Sequence, residues 1–255
     1  MSDHGGLTGK RVLIFAANGR LASAAARHFA ASGAQVLLSG RNQEAVEAIA
    51  TQIGASGGKA QTAVVDPTSP PQVRDYLTAV AGHGPVDVVF NGVGMPGPAT
   101  GYGIPYDELD PKMITDAVAL VVGSQFLTAR EAARLMAPAG RGSIITIAST
   151  NGRSGRPHTG GIGVIAGAVE SLALSMASEY GPAGVRVNHV RATRVANQQV
   201  FPDNALGRPI TAEEVAATIA WLGSDQATGI TGQIIEVSGG ERGLAEVPAD
   251  AAATS

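Results

Sequence analysis

Four side chains of types that transfer protons stand in or beside loops of this sequence. Ser149 ends an apolar run, His158 follows it in a Gly- and Pro-containing stretch, and Tyr102 and Tyr106 lie in an earlier stretch of the same kind. An imidazole acts as acid or base near neutral pH, and a hydroxyl or phenol can donate to a reacting oxygen. We expect Ser149, His158 and Tyr102 to be catalytic. Two alternatives stay open. The serine hydroxyl could bond only to nearby backbone, and the histidine and the tyrosines could be ordinary loop residues.

Composition excludes several kinds of site and partner. The chain has no cysteine and its five histidines are scattered, so we expect no disulfide, no thiolate chemistry and no metal site. The net charge is −3 without a cluster of lysines or arginines, which predicts no nucleic-acid partner and no binding to an anionic membrane. No apolar stretch is expected to reach the length of a signal peptide or a membrane span. A cytoplasmic protein is therefore predicted.

The apolar pattern predicts one doubly wound α/β domain. Short apolar runs alternate with segments of helical periodicity, which is typical of a parallel sheet with helices on both faces. Seven strands are expected, at 11–16, 35–39, 61–65, 86–90, 143–148, 185–190 and 233–237. Helices are expected at 21–31, 43–53, 71–81, 111–137, 161–180 and 212–222, the last behind a capping box from Thr211 to Glu214. The whole chain, 1–255, is predicted to be a single domain with a tail at about 241–255.

Four motifs in order resemble the short-chain dehydrogenase/reductase superfamily. Residues 87–94 (DVVFNGVG) resemble its strand and Asn-Asn-Ala-Gly turn, and residues 142–149 (GSIITIAS) resemble its strand that ends in a catalytic serine. Residues 184–188 (GVRVN) resemble the next strand, and 227–240 the C-terminal strand and turn. The resemblance covers nearly the whole chain. It implies a Rossmann-like sheet of strand order 3-2-1-4-5-6-7 and gives Ser149 the place of the family's serine.

The tyrosine and lysine that this resemblance implies are missing. Counted from Ser149, the family's tyrosine falls on Ile162 and its lysine on Ala166, and neither side chain can titrate. In the family the tyrosine transfers the proton, and the lysine lowers the pKa of that tyrosine and holds the nicotinamide ribose. The family's helix asparagine falls near Leu120 or Val121. We therefore expect a divergent member whose catalytic residues are atypical.

The phosphate loop that the resemblance implies is altered as well. A dinucleotide site needs glycine after its first strand, because the pyrophosphate lies against bare backbone at a helix N-terminus. Here Gly19 is the one glycine of the loop, while Ala16 and Ala22 take the outer glycine positions. Each added methyl group is expected to narrow the approach, although the neighbouring Arg20 could offer its charge to a phosphate.

The adenosine half of the nucleotide site is better kept. The resemblance assigns Arg41 to the 2′-phosphate of NADP, Asp66 to the adenine and Asn91 to the turn beside the cofactor. A solvent-exposed helix-start residue is the alternative role for Arg41. We expect either no cofactor or weak binding of NADP, which is favoured over NAD.

The substrate is expected at the loops that follow the carboxyl ends of the strands, since these loops build the site in doubly wound folds. Two such segments, 94–105 and 191–209, are rich in Gly or Pro. The second falls where the family has its substrate lid, so its polar side chains are expected to grip an anionic or carbonyl-rich small molecule: Arg191, Arg194, Asn197, Gln198 and Gln199.

Three functions stay open. The first, which the joint loss of the proton donor and the glycines favours, is an enzyme of non-redox or cofactor-independent chemistry on a small organic substrate. Cyclisation, isomerisation, elimination and hydration are its candidate reactions. The second is an NADP-dependent carbonyl oxidoreductase with a relocated proton donor. The third is a non-catalytic subunit that senses a nucleotide or pairs with an active relative.

Self-association is expected from two helices. The segments 111–137 and 161–180 carry Ala, Val, Leu and Gly on more than one face. A helix that is apolar nearly all round needs a second burial partner. In the family these two helices form the subunit interface, so a homodimer or homotetramer is predicted.

Overall fold

A parallel sheet forms the centre of the molecule. The computed structural model describes residues 6–94, 97–193 and 204–240. Within these residues seven strands pair in the order β3-β2-β1-β4-β5-β6-β7, each parallel to its neighbour. They are β1 Arg11–Phe15, β2 Gln35–Gly40, β3 Lys59–Val64, β4 Val88–Asn91, β5 Gly142–Ser149, β6 Val185–Ala192 and β7 Ile234–Val237. The predicted fold class and strand order are confirmed; the predicted tail lies outside the described residues.

Helices cover both faces of this sheet. They are α1 Arg20–Ala31, α2 Gln43–Ala55, α3 Pro70–Ala81, α4 Pro111–Ala117, α5 Gly123–Met136, α6 Asn151–Ser154, α7 Gly161–Tyr180 and α8 Ala212–Gly223. One apolar layer lies between the sheet and α1, α2 and α8, and a second lies between the sheet and α3, α5 and α7. The predicted capping box is present: Thr211 and Glu214 each accept a hydrogen bond from the backbone N–H of the other at the start of α8.

The central strands are apolar on both faces because both faces are covered. In β1, Val12 and Ile14 pack in the layer with α1 and α8, while Leu13 and Phe15 pack in the opposite layer, and all four are fully buried. This rigid base places the carboxyl ends of β1, β4 and β5 side by side, because these strands are neighbours in the sheet.

The predicted helix 111–137 is not continuous. A π-helix, Val118–Val122, separates α4 from α5. A π-helical turn contains one residue more than a regular turn and is frequent at functional sites. The prediction of one helix is corrected here, since the apolar periodicity of the segment does not distinguish a helix with an inserted residue from a regular one.

Helix α7 corrects the expectation that no apolar stretch reaches the length of a membrane span. Together with the turn that follows it, Gly161–Ala183 is long and apolar enough to cross a membrane by length and composition alone. In the structure, however, α7 packs against the sheet, and Val169, Ala173 and Met176 are buried there. It is therefore a core helix of this fold, and the cytoplasmic location stays a prediction.

A histidine is buried between α7 and the sheet. His189 of β6 has no exposed surface, and its Nδ1 lies 2.9 Å from Oγ1 of Thr146. Its Nε2 has no hydrogen-bond partner among the described residues and lies 3.9 Å from a carboxylate oxygen of Glu170. Burial lowers the pKa of His189 to about 4, against the opposing effect of the Glu170 charge. The ring is therefore neutral in the folded protein at pH 7.

This burial predicts a pH dependence of stability. The unfolded chain takes up the His189 proton near pH 6.5, whereas the folded protein does so only near pH 4. The unfolded state thus binds more protons between these values, so stability present above pH 6.5 falls as the pH decreases, by up to about 3 kcal/mol. We expect His189→Gln to flatten this slope in urea unfolding between about pH 6.5 and 5, and the exposed-residue control His83→Gln to leave it intact. An equal slope in His189→Gln would contradict the assignment.

Candidate active site

The candidate site lies where three neighbouring strands end. Phe15 ends β1, Asn91 ends β4 and Ser149 ends β5, and these strands are adjacent in the sheet. Because they are parallel, the loops that follow them leave the same edge of the sheet. The phosphate loop, the turn after β4 and Ser149 at the end of β5 therefore lie at one edge of the sheet.

The loop after β1 has the shape of a glycine turn although it begins with alanine. Ala16 adopts φ 53°, a left-handed conformation that glycine takes without strain. The N–H of Gly19 donates to the Ala16 carbonyl at 3.0 Å and closes the turn. Gly19 is the N-cap of α1, and no side-chain cap hydrogen bond is made to the first N–H groups of the helix. A phosphate can approach these N–H groups and the positive end of the helix dipole.

The turn after β4 packs so closely against α1 that it leaves no room for a side chain at Gly92. A methyl group at Gly92 would lie 2.5 Å from Cβ of Ala22, and one at Gly19 would lie 3.7 Å from the Gly92 carbonyl. Ala22 is almost fully buried, and its methyl group faces Gly92. The expectation that Ala22 narrows the phosphate approach is therefore corrected: its methyl group fills the contact between α1 and the turn. The residues present fit the pyrophosphate of a dinucleotide.

Asn91 holds this turn from inside. Its side-chain oxygen accepts from the N–H of Val93 at 2.8 Å, and its side-chain nitrogen donates to Oγ1 of Thr128 at 2.9 Å. Nε2 of Gln125 donates to the Asn91 carbonyl at 3.0 Å. All of these groups are buried, which makes the asparagine a structural support of the cleft. Gln125 and Thr128 were missed from the sequence, because α5 is polar at several positions and no local pattern marks these two.

Two predicted adenosine contacts lie close together. Arg41 is exposed directly after β2, and Asp66 follows β3. Hydrogen bonds from the hydroxyl and the N–H of Thr68, with a contribution from the nearby Arg41 charge, hold the pKa of Asp66 below its usual value. The carboxylate is therefore charged at neutral pH and stands beside a guanidinium at the ends of β2 and β3. Arg20 is exposed in the first turn of α1, on the phosphate side of the same edge.

Ser149 stands at the mouth of the cleft. It is half-buried, and its Oγ accepts from the N–H of Asn151 at 3.2 Å. The hydroxyl thus has one backbone contact of the kind considered from the sequence, in which it accepts, and it can still donate its own hydrogen. An oxygen of a substrate can accept that hydrogen.

Ile162 and Ala166, where the resemblance implies a tyrosine and a lysine, differ in their surroundings. Ile162 is partly exposed, whereas Ala166 is fully buried. A methyl group at Gly152 would lie 2.8 Å from Cβ of Ala166, so the backbone of α6 lies directly over this residue. A long side chain at 166 would require α6 to move.

Two loops join to form one wall beside α7. The N–H of Gly103 donates to the carbonyl of His158 at 2.7 Å, and the Tyr106 hydroxyl donates to the Gly160 carbonyl at 3.4 Å. Tyr106 also lies 3.5 Å from the buried hydroxyl of Thr159. His158, at φ 57°, and both tyrosines are exposed on this wall, with Tyr102 43% exposed. The structure thus brings His158 and the tyrosine loop together on one wall, whereas the tyrosines were expected on the opposite wall of the cleft. Their catalytic role stays a prediction.

The predicted substrate contact Arg191 is engaged elsewhere. Its guanidinium makes two hydrogen bonds to Glu170, at 2.8 and 2.7 Å, and a third to Glu236 at 3.2 Å. The arginine is buried between α7 and β7, so it ties that helix to the sheet. The other predicted lid residues, Arg194, Asn197, Gln198 and Gln199, lie outside the described residues.

The sequence matches one family model and several known proteins over nearly its whole length. Residues 16–241 match the family model described as Enoyl-(Acyl carrier protein) reductase. The chain is 30% identical to gluconate 5-dehydrogenase of Gluconobacter oxydans, over 92% of this chain and 95% of that protein. It is 31% identical to an A-factor type gamma-butyrolactone 1'-reductase of Streptomyces virginiae, over 94% of this chain and 98% of that protein.

Solved structures agree with these matches. A short-chain type dehydrogenase/reductase from Mycobacterium marinum superposes with a TM-score of 0.83 at 30% identity, covering 94% of this chain and 98% of that one. A gluconate 5-dehydrogenase from Burkholderia cenocepacia, in complex with NADP and tartrate, also gives 0.83 at 25% identity, covering 93% and 96%.

The expectation of non-redox or cofactor-independent chemistry is therefore wrong. Relatives that match nearly the whole chain are named as dehydrogenases and reductases, and one of the similar structures contains NADP. The expectation rested on missing side chains that transfer a proton. Loss of a general acid typically lowers a rate by about 10²- to 10⁴-fold but leaves the cleft for hydride transfer in place.

The strained alanine in the phosphate loop predicts a stabilising substitution. Alanine at φ 53° is strained by roughly 1 kcal/mol relative to glycine. We expect Ala16→Gly to raise the free energy of unfolding by about that amount in urea denaturation. The matched control Ala17→Gly removes a fully buried methyl group from the next residue and should lower stability. Equal destabilisation by both substitutions would contradict the strain at Ala16.

Proposed function

The chain belongs to the short-chain dehydrogenase/reductase superfamily, and from this membership we propose that it is an NADP-dependent oxidoreductase of a small organic carbonyl compound or alcohol. The observation that carries the proposal is the glycine-like phosphate turn at Ala16, which contacts Gly92 and leaves the first N–H groups of α1 uncapped by any side chain. Relatives named as dehydrogenases and reductases support the reaction class.

The residues that bind the coenzyme are assigned from their charge and their position in the fold. We propose that the N-terminus of α1 and Arg20 bind the pyrophosphate, and that Arg41 binds the 2′-phosphate as a charge-assisted partner. Asp66, held in its charged form, would accept from the adenine amino group. When bound, NADP supplies or accepts the hydride. The gluconate 5-dehydrogenase structure that contains NADP supports this choice of coenzyme.

The reacting end uses Ser149 as the hydrogen-bond donor to the substrate oxygen. We propose a divergent member of the superfamily in which Ile162 and Ala166 stand at the usual tyrosine and lysine positions. The proton then comes from the wall that His158 and the two tyrosines form, whose loops are tied by the Gly103 to His158 hydrogen bond. Such a relocated donor would keep hydride transfer while changing the acid.

We further propose that the protein pairs with a second copy through α5 and α7. Phe126, Val164 and Leu174 are 45%, 45% and 41% exposed on these helices. Large apolar side chains exposed on adjacent helices are typical of an interface between subunits. A cation–π contact from Arg130 over Phe126 lies on the same surface.

The coenzyme assignment predicts a selective effect of one arginine. We expect calorimetry to detect NADPH binding, and Arg41→Gln to weaken it by about tenfold or more while changing NADH affinity little, because only NADPH carries the 2′-phosphate. The matched control Arg27→Gln removes the same charge from the middle of α1 and should leave both affinities unchanged. Absence of NADPH binding, or equal loss for both coenzymes, would contradict the coenzyme assignment.

The relocated donor predicts which substitution lowers turnover. NADPH oxidation with a panel of ketones and aldehydes should identify a substrate, and Ser149→Ala should then lower kcat. Replacing the donor, tested as His158→Gln, Tyr102→Phe and Tyr106→Phe, should lower kcat by about 10²- to 10⁴-fold with NADPH affinity kept. The pH profile of kcat should lose the limb that belongs to that group. If all three variants keep full turnover, the donor does not lie on this wall.

A further inference from the structure

A second cleft lies at the opposite edge of the sheet from Ser149. Its volume is about 490 Å³, and it is formed where the strands begin. Lys10 precedes β1, Asp87 precedes β4 and Arg141 precedes β5, so the parallel sheet brings them to one edge. Strand β5 runs from this cleft to Ser149, a distance of about 23 Å at the usual rise of a strand. The cleft is therefore separate from the candidate active site.

The cleft carries three cations and two carboxylates, a net charge of +1. Asp225 pairs with Lys10 at 2.7 Å, and Asp87 lies 3.6 Å from Arg141. The second oxygen of Asp87 accepts from the backbone N–H of Arg11 at 2.9 Å. Each carboxylate is thus already held, and the positive charge that remains is that of Arg186.

Arg186 lacks an ion-pair partner within the described part of the chain. Its guanidinium donates to the carbonyls of Ile230 and Ser224, both at 3.3 Å, the long end of the range for such bonds. The residue is partly buried, and burial lowers its pKa despite the opposing charge of Asp225. A guanidinium has five N–H donors in a planar fork that matches a carboxylate or phosphate. Two of these donors are used by the carbonyls, and Arg186 lines the cleft.

We propose that this cleft binds a small organic anion through a carboxylate or phosphate group held by Arg186, with Arg141 as the second cation. A volume near 490 Å³ lies within the range of small-molecule sites, about 300–1,000 Å³, and exceeds the needs of a bare ion. Arg141 is 62% exposed and can turn toward an incoming anion at the entrance. Asp225 opposes this binding little because Lys10 neutralises it, and Asp87 keeps its hydrogen bond from the Arg11 N–H when Arg141 turns away.

Titration calorimetry with succinate and with inorganic phosphate tests the proposal and separates the two anion chemistries. The nucleotide cleft also attracts phosphate, so the titrations use the Arg20→Gln/Arg41→Gln background. We expect at least one of the two probes to bind with a Kd of about 1 mM or tighter. Arg141→Gln should weaken binding by about tenfold, and Asp225→Asn should strengthen it by freeing Lys10.

A matched control is available in Arg134→Gln. Arg134 is 61% exposed against 62% for Arg141, and it lies on α5 and does not line the cleft, so its replacement should leave the affinity unchanged. Arg186→Gln should abolish binding, with circular dichroism to verify folding. If that variant fails to fold, Arg141→Gln and Asp225→Asn decide the outcome. No binding of either probe, or equal affinity in Arg141→Gln and the background protein, would overturn the proposal.

Discussion

The candidate active site depends on a close approach between two stretches of backbone, the start of α1 and the turn after β4. Gly92 can face Ala22 only because it has no side chain, since a methyl group there would come within 2.5 Å of the alanine. This contact fixes the phosphate loop relative to β4. Asn91, hydrogen-bonded to Val93 and Thr128, then keeps the turn in that position. The cleft floor is therefore held by packing and hydrogen bonds within the chain itself.

The fold could be predicted from the sequence because its signals are local and repeated. Each buried strand is a short apolar run, and each helix carries its own periodicity or cap, as at Thr211. The polar contacts of the site are different, because they join residues far apart in the chain. Gln125 meets Asn91 across 34 positions, and no local pattern encodes that pairing. Arg191 was likewise assigned to the substrate, since its partner Glu170 becomes its neighbour only after α7 packs on the sheet.

The absence of a long side chain at Ala166 is matched by its surroundings. The backbone of α6 lies over this alanine, and Gly152 permits the contact. Both small residues are needed for α6 and α7 to pack so closely. The adjacent wall is built in the same way: Gly160 brings the start of α7 against the Thr100 carbonyl, which joins the two loops that carry His158 and Tyr106.

The π-helix between α4 and α5 has a consequence for insertions and deletions. In a regular helix, removal of one residue turns everything downstream by about 100° and would carry Gln125 away from β4. A π-helical turn already holds one extra residue. Loss of one residue within Val118–Val122 would convert that turn to a regular one and leave both flanking helices in register. The segment between α4 and α5 can therefore change in length by one residue while the floor of the cleft stays the same.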